Sequence, residues 1–285
     1  MNDVKFLGVV YEPTRIKLGM VSKCGEIEGA IDVKIEGLTP RTTLPKLTRA
    51  IKNYLKGRGA NEAPKAIGIG LPGHVNWEKG IWLRSARMNI KQSIHISQEI
   101  EKTFGMPVYI DNDLNAATLA ENYYGIGRIS KDFLFVLLDE AVAAGIVSGG
   151  QLVQGAGNSA GELGYFFLSA GDIYLEKIVE QLTLDIIIAA QEGDLTALNT
   201  VQNVINVLGI CLVNCVNLLN PEHIVLTGRI SDNPWFVNQL KKYVYAHGNV
   251  NCVAALKDIS PSVLQGDYSY VLGAAALCHL PRVEG

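Results

Sequence analysis

The feature that most constrains this chain is one order of predicted elements that occurs twice. The first copy opens with the short apolar runs FLGVV, IKLGMV and EGAIDVKI, which turn-type residues separate. A helix, the buried run AIGIGLPG, a second helix and the strand VYIDND follow. The second copy opens with FLFVLLDE, AAGIVSGG and QLVQGAG and continues through helices at about residues 174–192 and 196–219 to the buried run HIVLTG. This repeat predicts two similar α/β domains, each with a mixed sheet and helices on both faces.

The repeat also gives the expected domain boundary. We expect an N-terminal domain over residues 1–113 and a C-terminal domain over residues 114–269. Architectures of this kind hold their ligands in the cleft between the domains.

Composition excludes several classes of protein. The chain has 285 residues, a formal net charge of −3 and 48% hydrophobic residues, which argues against both a nucleic-acid-coating protein and a disordered one. No apolar run approaches the roughly 18 residues that a membrane helix needs, and the N-terminus lacks the order of a signal peptide. The five cysteines are scattered without a C-x-x-C pair, so neither a disulfide framework nor a structural zinc site is indicated. We expect a cytoplasmic protein with reduced thiols.

Four stretches, read together, resemble the ROK family of bacterial sugar kinases and sugar-responsive transcriptional regulators. They are AIGIGLPGHVNWEKG, VYIDNDLNAATLAENYYGIG, AAGIVSGGQLVQGAGNSAGELGY and LGICLVNCVNLLNPEHIVLTGRIS. The resemblance extends from about residue 4 to about residue 280. It implies a two-domain actin-like ATPase (ribonuclease H-like) fold with a cleft between the domains. It also implies that a closing helix at about residues 270–280 packs back on the first domain.

The resemblance implies a set of residues that contact the sugar. Asp113 matches the general base that takes a proton from the sugar hydroxyl, and Asn112, Glu162 and Glu176 match sugar-binding positions. A structural role is the alternative for two of them. For Asp113 the alternative is an N-cap, because it stands at the start of a helix and Asp is a good N-cap. For Glu162 the alternative is a solvated loop carboxylate.

The first phosphate loop departs from the kinase pattern. Kinases of the family carry a D-x-G-G-T turn here, and this chain has Val10, Tyr11, Glu12, Pro13 and Thr14. Val10 replaces the Asp that handles the metal, and Glu12 and Pro13 replace the two glycines. Proline has no N–H to offer a phosphate, and Glu12 adds a negative charge, so this turn is expected to bind a nucleotide poorly.

The other nucleotide loops are altered too. The family's G-T-G-x-G segment is replaced by a sequence that begins with Asp139 and Glu140, two carboxylates unfavourable beside a triphosphate. In the third turn, a G-G-G segment in the family, Gly228 alone survives.

Two further departures concern zinc and the sugar. Tyr165 stands where the family has a zinc-binding His, and the following loop is shortened and contains no cysteine, so we expect no zinc. Arg87 stands at the position of a sugar-contacting Asn, where its planar guanidinium could reach a carboxylate or phosphate on the ligand. The alternative is that Arg87 is simply exposed or paired with an acid.

These departures leave three functions open. The first is a non-catalytic ROK-type sugar-sensing domain, the effector part of a transcriptional regulator, since the ATP and zinc positions are lost while much of the sugar pocket survives. The second is an ATP-dependent kinase of a hexose or N-acetylhexosamine with an unusual nucleotide site. The third is a structural pseudokinase that works through partner contacts.

The expected partners follow from the same resemblance. We expect a sugar or sugar derivative as ligand and a homodimer as the assembly, with no membrane. ATP and magnesium are expected only for the kinase. ROK regulators normally carry an N-terminal helix-turn-helix, whereas this chain begins at the first predicted strand, so DNA binding is expected only if such a segment lies outside this chain.

Overall fold

The computed structural model describes residues 4–36, 40–56, 58, 63–169, 173–264, 266 and 268–280. Within these ranges the strands are β1 (Lys5–Tyr11), β2 (Arg15–Ser22), β3 (Ile27–Lys34), β4 (Ile67–Leu71), β5 (His74–Asn76), β6 (Ile81–Arg84), β7 (Val108–Asn112), β8 (Phe133–Leu138), β9 (Val142–Ser148), β10 (Gln151–Leu152), β11 (Phe167–Ser169), β12 (Ile173–Tyr174), β13 (His223–Thr227) and β14 (Asp258–Pro261). The helices are α1 (Pro40–Leu55), α2 (Ile96–Phe104), α3 (Asp113–Tyr124), α4 (Leu175–Val179), α5 (Leu184–Gln191), α6 (Leu195–Leu219), α7 (Pro234–His247), α8 (Val250–Ala255) and α9 (Ser269–Ala276).

Ten of the described strands form two five-stranded sheets of the same construction, and β5–β6 and β11–β12 pair as separate two-stranded sheets. The first has the order β3-β2-β1-β4-β7 and the second the order β10-β9-β8-β13-β14. In each sheet an antiparallel meander is followed by two strands that run parallel to the first strand of that meander. Two mixed α/β sheets of this kind confirm the repeat predicted from the sequence.

Strand β1 shows why the first sheet is covered on both faces. Side chains alternate along a strand, so Leu7 and Val9 point to one face and Val10 to the other. Leu7 and Val9 pack into a core that includes Leu47 and Ile51 of α1. Val10 packs into a second core with residues of α9. Burial on both faces explains the nearly continuous apolar run of β1.

The second sheet supports one large core with the helices that follow it. Buried residues of β8, β9 and β13 contact buried faces of α5, α6 and α7 within this core. Helix α6 is the one helix in the described ranges that is long and apolar enough to cross a membrane, with 25 residues and a mean hydropathy of 1.6 over its best window. The sequence predicts this helix but not a membrane-length apolar run, because Asn and Gln interrupt its apolar residues. That window is 56% buried inside the protein, and buried core helices meet the same criteria, so this is weak evidence for a membrane span.

The described residues divide into two units that are each well connected internally. The first lies within Met1–Tyr124, Ala156–Asn158 and Leu264–Gly285, and the second within Gly125–Gly155 and Ser159–Val263. All of α3 therefore belongs to the first unit, whereas the sequence repeat placed a boundary at residue 113. Helix α9, in the expected closing segment, packs on β1, β4 and α3 of this first unit.

Several elements differ from the sequence prediction. Residues 174–192, predicted as one helix, form the end of β12 and then the two helices α4 and α5. Helix α4 ends at Val179, and the side chain of Thr183 caps the start of α5. The β5–β6 hairpin, α7, α8 and β14 were not predicted.

Candidate functional site

The first group of predicted site residues lies at the junction of β7 and α3. Asn112 ends β7, and its side-chain Oδ1 accepts hydrogen bonds from the N–H groups of Leu114 (2.9 Å) and Asn115 (3.4 Å). Its Nδ2 donates to the carbonyl oxygen of Gly73 at 2.8 Å. Asn112 thus caps α3, a role that the sequence analysis weighed for Asp113 instead. One N–H of its amide is left for a ligand.

Asp113 follows as the first residue of α3 and is half-buried. Its Oδ1 accepts a hydrogen bond from the N–H of Leu114 at 3.0 Å. Burial raises the pKa of Asp113 to about 6, the Leu114 N–H and the Arg87 charge act against that rise, and Glu12 adds to it. A carboxylate whose pKa is near neutrality suits general base chemistry.

Arg87 lies on the turn that follows β6. Ser85 and Ile90 close this turn with two backbone hydrogen bonds of 3.0 and 2.8 Å. Met88 and Ile90 are buried, whereas Arg87 is exposed. Its charge acts on Asp113, yet the two side chains form no salt bridge.

The β1–β2 turn corresponds to the first phosphate loop. Glu12 donates its N–H to the carbonyl oxygen of Arg15 at 2.9 Å, which leaves Pro13 and Thr14 as a two-residue turn. The Glu12 carboxylate pairs with Arg15 (2.5 Å) and with the nearly buried Lys17 (3.4 Å). The negative charge that the sequence analysis assigned to Glu12 is therefore balanced locally. Pro13, however, still has no N–H to donate to a phosphate.

The second group of predicted site residues lies on the loop that contains the A-G-E-x-G sequence. This loop packs directly on β9, and the N–H of Ala144 donates to the carbonyl oxygen of Gly161 at 2.7 Å. A Cβ on Gly161, whose φ is +91°, would lie 1.6 Å from the carbonyl oxygen of Ala144. Glycine is thus required here, and the close packing leaves Glu162 exposed beside it.

Tyr165 and Glu176 belong to the same region of the second unit. Tyr165 is 66% exposed and contacts the ring of Tyr174 edge-on. Glu176, on α4, is half-buried and accepts a hydrogen bond from the N–H of Val142 at 3.3 Å. Part of the shortened loop between them, residues 170–172, lies outside the described residues.

The loop at Asp139 and Glu140 corresponds to the second phosphate loop. Asp139 accepts a hydrogen bond from the N–H of Glu140 (2.9 Å) and pairs with Arg229 of the third turn (2.5 Å). Gly228 has a φ of +99°, and a Cβ there would lie 2.3 Å from the carbonyl oxygen of Leu138. Packing of the third turn on the second is therefore reason enough for glycine at this position.

A cavity of about 160 Å³ lies beside this loop. It is lined by Leu138, Asp139, Glu140, Glu180, Leu182, Thr183, Arg229 and Ile230. The lining thus contains the three carboxylates of Asp139, Glu140 and Glu180 and a single guanidinium, that of Arg229, which is paired with Asp139. These charges do not fit the phosphates of ATP.

The described residues at the family's zinc position do not fit a zinc ion either. Zinc in proteins is held by Cys, His, Asp or Glu side chains in groups of three or four. Over the part of the chain that the structure describes, no three such side chains are arranged to hold a metal ion.

Arg15 and Lys17 were missed by the sequence analysis, although both determine the charge of the first loop. Glu12 and Arg15 flank a two-residue turn, and this spacing is the signal that could have paired them.

The fold is that of the actin-like ATPases, and a solved ROK family transcriptional regulator, a homologue of the Escherichia coli Mlc protein, superposes with a TM-score of 0.84. That structure is 23% identical, and the match covers 96% of this chain and 77% of that one. The chain belongs to the ROK family, whose profile matches residues 8–173 and 172–280.

The relatives of this chain include proteins of two functional classes. A glucokinase of Halalkalibacterium halodurans is 27% identical over 273 residues, which covers 81% of this chain and 82% of the relative. A xylose repressor of Caldicellulosiruptor bescii is 29% identical over 260 residues, which covers 76% of this chain and 64% of the relative. Family membership therefore admits both a sugar kinase and a sugar-responsive regulator.

Proposed function

We propose that this chain is a sugar-sensing effector domain of ROK type that binds a sugar without phosphorylating it, as part of a transcriptional regulator. Asn112 and Asp113 offer a donor and acceptors for neighbouring hydroxyls, the usual chemistry of sugar recognition. Glu162, Tyr165 and Glu176 of the second unit are proposed as further sugar contacts, because they match family sugar or zinc positions.

The observation that carries the proposal is the pairing of Asp139 with Arg229. Phosphoryl transfer needs donors and cations that cradle and neutralise the nucleotide. At the second loop the carboxylate of Asp139 uses the nearby guanidinium of Arg229, and Glu140 adds a further negative charge. At the first loop, Pro13 has no N–H to donate. Neither ATP nor zinc is a cofactor in this proposal.

The alternative function is an ATP-dependent kinase of a hexose or N-acetylhexosamine. One observation favours it: the pKa of about 6 at Asp113 is suited to a general base. A base takes the hydroxyl proton but does not position the phosphate, so this observation alone does not establish transfer.

The assembly that we propose is a homodimer in the cytoplasm. Tyr165, Phe166 and Phe167 form a run of exposed aromatic side chains, and such exposed apolar surface commonly marks a contact site. Trp235, by contrast, packs partly against the core of the second unit. Light scattering at micromolar concentration should give the mass of two chains, and the mass of one chain would contradict this part of the proposal.

Calorimetry with a panel of sugars tests the function. Glucose, xylose and N-acetylated hexosamines are titrated separately, and MgATP is titrated with and without each sugar. The proposal predicts heat for at least one sugar and none for MgATP. MgATP binding at micromolar concentration would favour the kinase, and heat from neither these sugars nor their phosphorylated or acidic forms would favour the structural pseudokinase.

A matched pair of variants locates the sugar. Asp113→Ala is expected to abolish the heat, since it removes the hydroxyl acceptor. Asp185→Asn changes an exposed acid on α5 and is expected to leave the heat unchanged. Equal effects of the two variants would place the sugar elsewhere.

A further inference from the structure

The turn that carries Arg87 lies beside the β7–α3 junction, because Gly73 contacts both: its carbonyl oxygen accepts from Nδ2 of Asn112 at 2.8 Å, and a Cβ on it would lie 2.9 Å from Ser85. Its two backbone hydrogen bonds join Ser85 and Ile90, and the N–H of Met88 donates to Oγ of Ser85 at 3.3 Å. Met88 and Ile90 anchor the turn in the core of the first unit. The backbone of Arg87 is therefore fixed, while its side chain remains exposed.

The guanidinium of Arg87 has no salt bridge or hydrogen bond within the described residues, although its charge acts on the Asp113 carboxylate. Arg15 and Arg229, the other arginines of the candidate regions, are each held by an acid. Glu12, by contrast, is committed to Arg15 and Lys17. A guanidinium on a fixed backbone, left unpaired near a carboxylate, is available to a ligand.

The first N–H groups of α3 do not compete for an anion at this place. Those of Leu114 and Asn115 already donate to the side chains of Asn112 and Asp113. Arg87 is thus the available cation beside Asp113. A planar guanidinium with paired N–H donors matches carboxylate and phosphate oxygens far better than the hydroxyls of a neutral sugar.

We infer that the ligand of this site is an anionic sugar, whose carboxylate or phosphate is bound by Arg87 while Asn112 and Asp113 contact its hydroxyls. This inference rests on the proposed function and specifies its ligand class. A neutral sugar would leave the guanidinium unmatched.

The test compares neutral and anionic forms of the same sugar by calorimetry at constant ionic strength. The matched sets are glucose, glucose 6-phosphate and glucuronate, and N-acetylglucosamine with its 6-phosphate. In at least one set the anionic form is expected to bind about tenfold or more tightly, the order of one charge-assisted hydrogen-bond pair. The phosphate and carboxylate arms show which anion is preferred, and inorganic phosphate alone is expected to give no comparable heat.

Two variants assign the preference to one arginine. Arg87→Gln is expected to reduce the ratio of anionic to neutral affinity to about one. Arg84→Gln, which removes an exposed charge from the same hairpin, should keep the ratio. An equal loss in both variants, or comparable heat from inorganic phosphate, would overturn the inference.

The outcomes also separate this inference from the proposed function. Neutral sugars that bind as tightly as their anionic forms would overturn the anion preference and leave a sugar sensor. If neither form of any sugar binds, the proposed function itself fails.

Discussion

Replacing Asp113 with Asn is expected to stabilise the folded protein at neutral pH. The pKa of Asp113 is raised from 3.8 to about 6, chiefly because burial penalises its charged form. Asn is nearly isosteric, and its Oδ1 can keep the hydrogen bond from the N–H of Leu114. The variant therefore removes a buried charge and leaves the local contacts in place.

The size and pH dependence of the effect follow from that pKa. A raised pKa means that the folded state holds the proton more tightly than the unfolded state, so the wild type loses stability as pH rises from about 4 to about 6. A rise of about two pH units corresponds to about 3 kcal/mol. Solvent screening at a half-buried carboxylate reduces this ceiling to about 1–2 kcal/mol. Below about pH 4 the carboxyl is protonated in both states and the difference should vanish.

Urea unfolding of the wild type and of Asp113→Asn, followed by tryptophan fluorescence from below pH 4 to pH 8, measures the difference in their free energies of unfolding. Asp258→Asn is a control of opposite sign. Burial of Asp258 acts to raise its pKa, but the hydrogen bond and charge of Lys241 outweigh burial and lower the pKa overall. That substitution should therefore cost stability at high pH, with the loss fading in acid. The reasoning would be refuted if Asp113→Asn destabilised the protein at pH 8. It would also be refuted if the difference in the free energy of unfolding were constant over the whole pH range.

Two further predictions concern packing and metal. Gly68→Ala places a Cβ 1.8 Å from the carbonyl oxygen of Ala274 on α9, and it should cost about 3 kcal/mol or more by thermal unfolding. Gly157→Ala meets nothing within 4 Å and should cost less than about 1 kcal/mol, so similar losses would argue against close packing of α9 on β4. Protein purified without metal-affinity resin should contain far less than one equivalent of zinc per chain by elemental analysis, and a full equivalent would reveal a site that lacks the family's ligands.

Every strand of the two five-stranded sheets except β14 could be predicted, because the signals of those strands are local. AIGIGLPG and HIVLTG are short apolar runs ended by glycine, and they form β4 and β13. Helix α7 also had a local signal that was missed, since Asn233 caps it and Pro234 is its first residue. The break between α4 and α5 was harder to find, because residues 174–192 are apolar enough to suggest one continuous helix.

The motifs around Asn112, Asp113 and Glu162 indicated candidate site positions, and their role as sugar contacts stays a prediction. How the side chains of the candidate regions pair could not be predicted from the sequence. Sequence order alone did not show that Asn112 rather than Asp113 caps α3, because both residue types are good caps one position apart. The pairing of Asp139 with Arg229 joins residues 90 positions apart, and it depends on how two turns pack together.

The central claim is that the chain binds a sugar and transfers no phosphate to it. A single-turnover experiment tests this most directly: protein in excess over γ-labelled ATP, with magnesium and each sugar that gives heat, is incubated and assayed for labelled sugar phosphate. We predict no label on the sugar above the level of a protein-free control. Label transfer that Asp113→Asn abolishes and Asp185→Asn preserves would contradict the account and establish a sugar kinase.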